Sequence, residues 1–471
     1  MIFSNNNLKF SADYLENIIE NDIEKRIFND NVIINNKTMV LYTSKAIYEP
    51  NLQKVTLIGD VKMYDKGDSL SCNKLILYDK QYKNFESIGN VNFYKGKQYI
   101  KCEHLLYNEI PINNDVQIKL FNSAEIIDST RKVLGDTLII NYQDSLIKNI
   151  KINSNAQFYN YRNAKFKKTQ KYQSIEDKMS SKKMYVNFNN GEVNNMYLSG
   201  MASTTFNVVE DTLVSGVSFS SGDSISIELK NNNIDRMKMF GGVKGKFEPE
   251  LDNSRVDSTV IYEADYIDYQ LNNDVSYLYD NSFVNYDNNE LKAGEIFIDW
   301  NENKLEARIK DSIYPSINGF GENPIFGEKM EFDLISKKGK IIQGKTNFNQ
   351  SFYKGETLTK DKNELFYINN SLFTTCELDH PHYYFYSDAM KMIPNDRVIA
   401  KPMTLYIREL PIFYLPFAVF PNKNGNRISG WIMPTFGNRS STGTYLDNLG
   451  YYYVINNYSD YTFLFDIQDQ K

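Results

Sequence analysis

Asn31-Val32-Ile33-Ile34, Asp60-Val61-Lys62-Met63 and Asn90-Val91-Asn92-Phe93 are three copies of one word, spaced 29–30 residues apart. Each opens a run in which apolar and polar residues alternate, the period of a half-buried strand. Gly59 and Gly89 precede two of them. Farther along each unit come Ala46-Ile47-Tyr48, Leu75-Ile76-Leu77-Tyr78 and Leu105-Leu106-Tyr107. Turn residues punctuate the units at Asn35-Asn36-Lys37, Lys66-Gly67-Asp68 and Asn301-Glu302-Asn303-Lys304. The spacing returns later, where Ala264-Asp265-Tyr266 and Ala293-Gly294-Glu295 lie 29 residues apart.

A unit of strand, turn, strand, turn cannot bury its apolar face alone, so the units must stack into one continuous core. The expected fold is all-β, a β-jelly-roll or solenoid of stacked rungs of about 29 residues. A second word, Gly-Asp-Ser/Thr-Leu/Ile, recurs at Gly67–Leu70, Gly135–Leu138 and Gly222–Ile225 and leads into alternating strands. Residues 14–28 fit either an amphipathic helix or a rung strand; the match of Ala12-Asp13-Tyr14 to Ala264-Asp265-Tyr266 favours the strand. Inward positions by alternation are Val32, Ile34, Val61, Met63, Leu75, Leu77, Val91, Phe93 and Leu105. They form either a closed core or an open seam able to take acyl chains. An apolar track has a physical use, because each methylene removed from water is worth about 0.8 kcal/mol.

Composition agrees with strands. Tyr (35) and Phe (29) are abundant and Pro (12) is scarce. The net charge of −6 and the lack of a basic stripe exclude nucleic acid as the expected partner. No run of apolar residues is long enough for a membrane-spanning helix, and MIFSNNNLKF lacks the apolar centre of a secretory leader. Cys72 and Cys102 fall one period apart and read as buried thiols, with a rung-to-rung disulfide as the alternative. His380, His382 and Asp379 do not have zinc-site spacing, so neither metal nor cofactor is expected. Acidic pairs such as Asp265 and Asp268 read as solvated strand faces, and no residue set points to catalysis.

The character changes near residue 371. There follow Thr374-Thr375-Cys376-Glu377-Leu378-Asp379-His380-Pro381-His382-Tyr383, then Leu410-Pro411-Ile412-Phe413-Tyr414-Leu415-Pro416-Phe417, Ser429-Gly430-Trp431-Ile432-Met433-Pro434, and Asn448-Leu449-Gly450-Tyr451-Tyr452. From Thr374 onward these words closely resemble the LptD family of outer-membrane lipopolysaccharide assembly proteins. The upstream rungs resemble the OstA-like jelly roll of the same transport system. The resemblance implies four segments: OstA-like repeats over 1–150, their continuation over 151–370, a connector over 371–421, and the first strands of an incomplete outer-membrane β-barrel over 422–471. It also implies lipopolysaccharide transport, with the jelly roll in the periplasm and the barrel in the cell outer membrane. Implied partners are lipopolysaccharide, an LptA-like periplasmic bridge protein and an LptE-like lipoprotein plug.

Pro434 matches a family position thought to weaken pairing between first and last barrel strands, and Gly450 is the nearest match to a second such gate position. Cys376 matches a family cysteine that in some members pairs with barrel cysteines. Two other readings remain: a soluble bridge protein of LptA or LptC type, and a β-solenoid carbohydrate-active enzyme, which would need paired carboxylates on one rung face.

Overall fold

The computed structural model describes residues 2–468 except 5–7, 21–22, 37, 79–83, 111–114, 211, 231–232, 251–253, 255, 288, 319–322, 349–350, 363–364, 379, 394–395, 422–428, 433, 440–442 and 457. The described residues are almost entirely antiparallel strand. Residues 14–20 and 23–28 are strand, as the word match favoured, within Tyr14–Glu20 and Ile23–Asn35. The chain divides into two compact units, one of Met1–Ile261 with Asp265–Asn273, the other of Tyr262–Ala264 with Asp274–Lys471.

In the first unit the strands are joined by tight hairpins and carry a kink midway. The hairpins at Lys66-Gly67, Asp144-Ser145 and Asn190-Gly191 have both turn residues at positive φ, the two-residue turn that matches strand twist. Mid-strand, pairs of left-handed residues recur at Asp30-Asn31, Gly59-Asp60, Gly89-Asn90, Asn122-Ser123, Ser154-Asn155, Gly200-Met201 and Gly241-Gly242. At each pair the ladder skips register. Such a bulge bends the strand, so a single run of sequence passes through two arms of a folded sheet.

The register fixes which residues belong to which arm. Arm one holds Ile23–Asn29, then 45–49, 54–58, 74–78, 84–88 and 104–110. Arm two holds Val32–Asn35, then 39–43, 61–65, 68–72, 91–95 and 98–102. Side chains meet across the space between the arms. Phe10 of arm two stacks on Phe28 of arm one at 4.6 Å, and Phe93 meets Phe85 and Tyr107 edge-on at 6.3 and 6.2 Å.

The kink has its own chemistry. An acid on one strand caps the left-handed pair on the next: Asn31 Nδ2 donates to Asp13 Oδ2 at 2.7 Å, and Asn155 Nδ2 to Asp136 Oδ2 at 2.8 Å. Ala12-Asp13 therefore marks a kink. The Gly-Asp word turns out to occupy two kinds of place: Gly67-Asp68 is at a hairpin tip, whereas Gly135-Asp136 and Gly222-Asp223 are at kinks. Both sites favour a small residue followed by an acceptor, so the sequence word does not separate them.

The 29-residue period also lengthens. From Leu146–Lys165 to Asn233–Pro249 the strands grow to 17–20 residues. The added length extends arm two and carries a small core of Ala164, Ile175 and Val214 of its own. Asparagine, abundant in the sequence, has a place on arm one. Gln117, Asn141 and Asn149 occupy successive register positions and bond side chain to side chain at 2.9 and 2.7 Å, and Asn187 bonds Asn195 at 2.8 Å. Asp268 departs from the expected solvated face. It is 6 % exposed and receives both arms of the Arg236 guanidinium at 2.8 and 2.6 Å.

The second unit repeats the device, with kinks at Asp280-Asn281, Gln343 and Asn370. Residues 371–421, expected as a connector, are themselves paired strands: Phe366–Thr374, Tyr383–Ile393, Met403–Ile407 and Leu410–Leu415 continue the ladders. A separate four-stranded antiparallel sheet follows, in which Gly430–Ile432 and Thr435–Arg439 both pair with Gly443–Val454, and that strand pairs with Asp460–Gln468.

Candidate functional site

All nine inward positions named from alternation are buried. Val32, Ile34, Val61, Met63, Leu75, Leu77, Val91, Phe93 and Leu105 are 0–4 % exposed. They lie on the faces that the two arms turn toward each other, on the five strands that carry them. Their burial also means that the space between the arms is filled by side chains in this state.

Cys72 and Cys102 share that interior at equivalent kink positions. Thr43 occupies the same place one unit earlier and gives its hydroxyl to the carbonyl of Ile58 at 2.9 Å and of Lys45 at 3.2 Å. Cys72 Sγ does the same toward the Lys74 carbonyl at 3.3 Å. The kink thus calls for a small weak donor, which explains the recurrence of cysteine at this spacing. The alternative of a rung-to-rung disulfide is not realised: both thiols are free. Strand Asn84–Lys95 lies between them, so their backbones stand roughly 9.6 Å apart, two strand spacings, against a disulfide reach of about 7 Å. Burial pushes the Cys72 thiol up to about 11 and the Cys102 thiol up to about 12. Neither forms appreciable thiolate at neutral pH.

Cys376 differs. It is free and partly exposed, with Sγ 3.8 Å from His382 Nδ1. Asp379, weighed with His380 and His382 as a metal ligand, lies outside the described residues. Iodoacetamide on the native chain is expected to modify Cys376 alone, with Cys72 and Cys102 reacting only after denaturation. Native labelling of Cys72 or Cys102 would show that the arms open readily without a ligand.

The second unit contains an apolar cavity of about 1040 Å³. One wall comes from the last paired strands before residue 421, with Phe385, Leu405 and Phe413. The other comes from the four-stranded sheet, with Trp431, Pro434 and Tyr445. Trp431 is held edge-on against Tyr451 at 5.3 Å. Alternation does not reveal this cavity, because its two walls belong to different sheets. The run of aromatic and proline residues between Phe413 and Pro434 is the one sequence trace of it.

The two gate candidates occupy different settings. Pro434 lies between the short strands Gly430–Ile432 and Thr435–Arg439 and lines the cavity. The partner strand is irregular opposite it: Asn448 adopts φ 68 and gives its N–H to Asp466 Oδ1 at 2.7 Å. Gly450 instead is paired on both sides, as the last partner of Gly430–Ile432 opposite Ile432 and opposite Leu464 just past the register shift between Leu446 and Leu449. A Cβ there would stand 2.3 Å from the Phe463 carbonyl oxygen, so the position requires glycine for close approach of strands.

The LptD protein family model matches residues 398–471. The strands that line the cavity on both sides fall largely within that match. Over this segment the chain is similar to the LptD family. Similar proteins include the LPS-assembly protein LptD of Nitrosospira multiformis, 27 % identical over 184 residues, 37 % of this chain and 19 % of that protein. The LPS-assembly protein LptD of Pseudoalteromonas atlantica is 31 % identical over 91 residues, 19 % of this chain and 12 % of that protein. That of Azoarcus sp. is 30 % identical over 92 residues, 19 % of this chain and 11 % of that protein. The LptD-like chain therefore spans less than a fifth of the length of these curated relatives.

Proposed function

We propose that this LptD-like chain is the lipid-receiving part of a lipopolysaccharide translocon of the outer membrane, a conduit and not an enzyme. The observation that carries the reading is the apolar space between two facing arms in the first unit, together with the apolar cavity beside Pro434 in the second. Acyl chains would travel between the arms with the sugars outside. Pro434 would be the weak point through which the barrel releases the lipid sideways, since proline gives no donor to a ladder. The four-stranded sheet would supply the first barrel strands; closure needs about eight or more.

The N-terminal edge supports a periplasmic bridge partner of LptA type. Among the described residues, Tyr14–Glu20 pairs only with Ile23–Asn35, leaving its outer edge able to accept a strand from another jelly roll. An LptE-like plug would act inside the completed barrel. The bridge-protein reading for the whole chain is the weaker one, because a bridge has no use for exposed aromatic strands such as Asp460–Gln468.

Photo-crosslinking residues at Met63, Leu77 or Phe93 are expected to capture lipopolysaccharide in cells, and at outward Lys62 or Asn92 to capture little. Equal capture at both sets would reject passage between the arms.

A further inference from the structure

The two arms meet along one side at the kinks. On the other side their hairpin tips approach without strand pairing, and side chains close the gap. At the N-terminal end the Arg26 guanidinium of arm one lies 4.5 Å from the Phe3 ring of arm two. Lys95 of arm two lies 5.4 Å from the Tyr107 ring and 5.6 Å from the Tyr142 ring, both of arm one. Beside it, Tyr142 donates to Gln98 Oε1 across the gap at 2.6 Å. Arg131 of arm two gives Nη1 to the Gly191 carbonyl at a tip of arm one, at 3.0 Å, and rests 5.2 Å from the Phe188 ring. Arg162 of arm two reaches Asn233 Oδ1 of arm one at 3.3 Å.

One regularity runs through these contacts. Every partner across the gap is neutral: a ring, a carbonyl or an amide. Among the described residues, the carboxylates that pair with the same cations all lie on the cation's own arm. They are Glu24 for Arg26, Asp68 for Lys95, Asp128 for Arg131 and Asp177 for Arg162. Each cation keeps about a fifth to a quarter of its side chain in solvent. A hydrogen bond from a cation to an anion is about twice as strong as one to a neutral acceptor. A phosphate arriving from outside can therefore displace the cross-gap acceptor while the same-arm carboxylate keeps the cation in position.

We propose that Lys95, Arg131 and Arg162, with Arg26 at the end, form a latch along the open side of the first unit, closed on neutral acceptors and released by phosphate groups of an amphiphile. Acyl chains then enter where the tips part, and the head group stays at the rim on the cations that let go. The existence of the latch rests on geometry; the identity of its key rests on the lipid-conduit reading above. Sequence inspection misses these residues because each partner lies far along the chain, 60 residues for Arg131 and Gly191.

The test uses the full chain and two probes in nonionic micelles: diphosphoryl lipid A and the same lipid with both phosphates removed. Without lipid, Arg131→Met is expected to speed amide exchange at the Asn189–Glu192 tip about tenfold, with the kink at Ser154-Asn155 unchanged. Arg131→Lys, which keeps the charge, should fall between. In the wild-type chain diphosphoryl lipid A should loosen the same tip and bind more tightly than the dephosphorylated lipid, and Arg131→Met and Lys95→Met should each lose about tenfold of that preference. Unchanged tip exchange in Arg131→Met overturns the latch. A phosphate preference that survives in both variants overturns the key. Failure of the wild-type chain to bind either lipid overturns the conduit reading and the key with it, while the exchange result still decides the latch.

Discussion

Asp268→Ala is expected to destabilise the first unit by roughly 1–3 kcal/mol, the cost of losing charge-assisted hydrogen bonds to a guanidinium that keeps a third of its side chain in solvent. Asp268 is almost fully enclosed and holds Arg236 through two parallel bonds, with Gln270 Nε2 donating to Oδ2 at 2.9 Å as a third. Replacement by alanine strands the guanidinium beside strand Val260–Gln270. Replacing both partners with apolar residues, Asp268→Leu with Arg236→Met, should recover most of the loss, since such swaps are often near neutral. Denaturant unfolding read by amide exchange over residues 233–240 and 265–270 checks both variants. A single-variant loss below about 1 kcal/mol would place the pair among ordinary surface bridges.

The same pair sets a pH signature. Burial raises the Asp268 carboxyl, but the bonds from Arg236 and Gln270 and the Arg236 charge outweigh it, and the group ends below the usual carboxylate range. A depressed folded-state value means the stabilisation is complete above the unfolded value of about 3.9 and disappears as pH falls through the folded one. The gap in stability between the wild-type chain and Asp268→Asn should thus be constant near neutrality and shrink below about pH 4.

Much of this architecture is legible because the chain pays little heed to long-range order within a rung. Hairpin tips need positive φ, so Lys66-Gly67 and Asn190-Gly191 advertise themselves. Inward residues such as Val61 and Met63 alternate with Lys62 in plain view. The kinks are harder to read. Asp30-Asn31 or Ser154-Asn155 look like polar interruptions of a strand, and nothing local says that the sheet folds there into two arms. What lies between arms is harder still. Arg131 sits next to its own Asp128 in sequence, an ordinary exposed pair by appearance, and its contact with Gly191 exists only once the tips are brought together. The cavity beside Pro434 is hidden for the same reason, since its walls come from different sheets.

Gly450→Val is expected to unpair Asp460–Gln468 from Gly443–Val454, at a cost of about 3 kcal/mol or more, the upper range for forced overpacking. Two readings of Gly450 give opposite signs here. If the glycine loosens a gate ladder, a β-branched residue should stiffen the strand and gain up to about 1 kcal/mol. The structure instead puts the Phe463 carbonyl oxygen 2.3 Å and Leu464 Cδ2 2.7 Å from any added Cβ. A side chain such as Leu464 can rotate away, but a ladder carbonyl cannot move without breaking the pairing it belongs to. Amide exchange over residues 460–468 should therefore accelerate in Gly450→Val and, less so, in Gly450→Ala. The ladder of Met403–Ile407 with Leu410–Leu415 should hold its protection, because it pairs within its own sheet. Pro434→Ala should move exchange the other way, since it restores a donor at the break between Gly430–Ile432 and Thr435–Arg439. Slower exchange at 460–468 in Gly450→Val would return Gly450 to the role of a ladder-loosening gate.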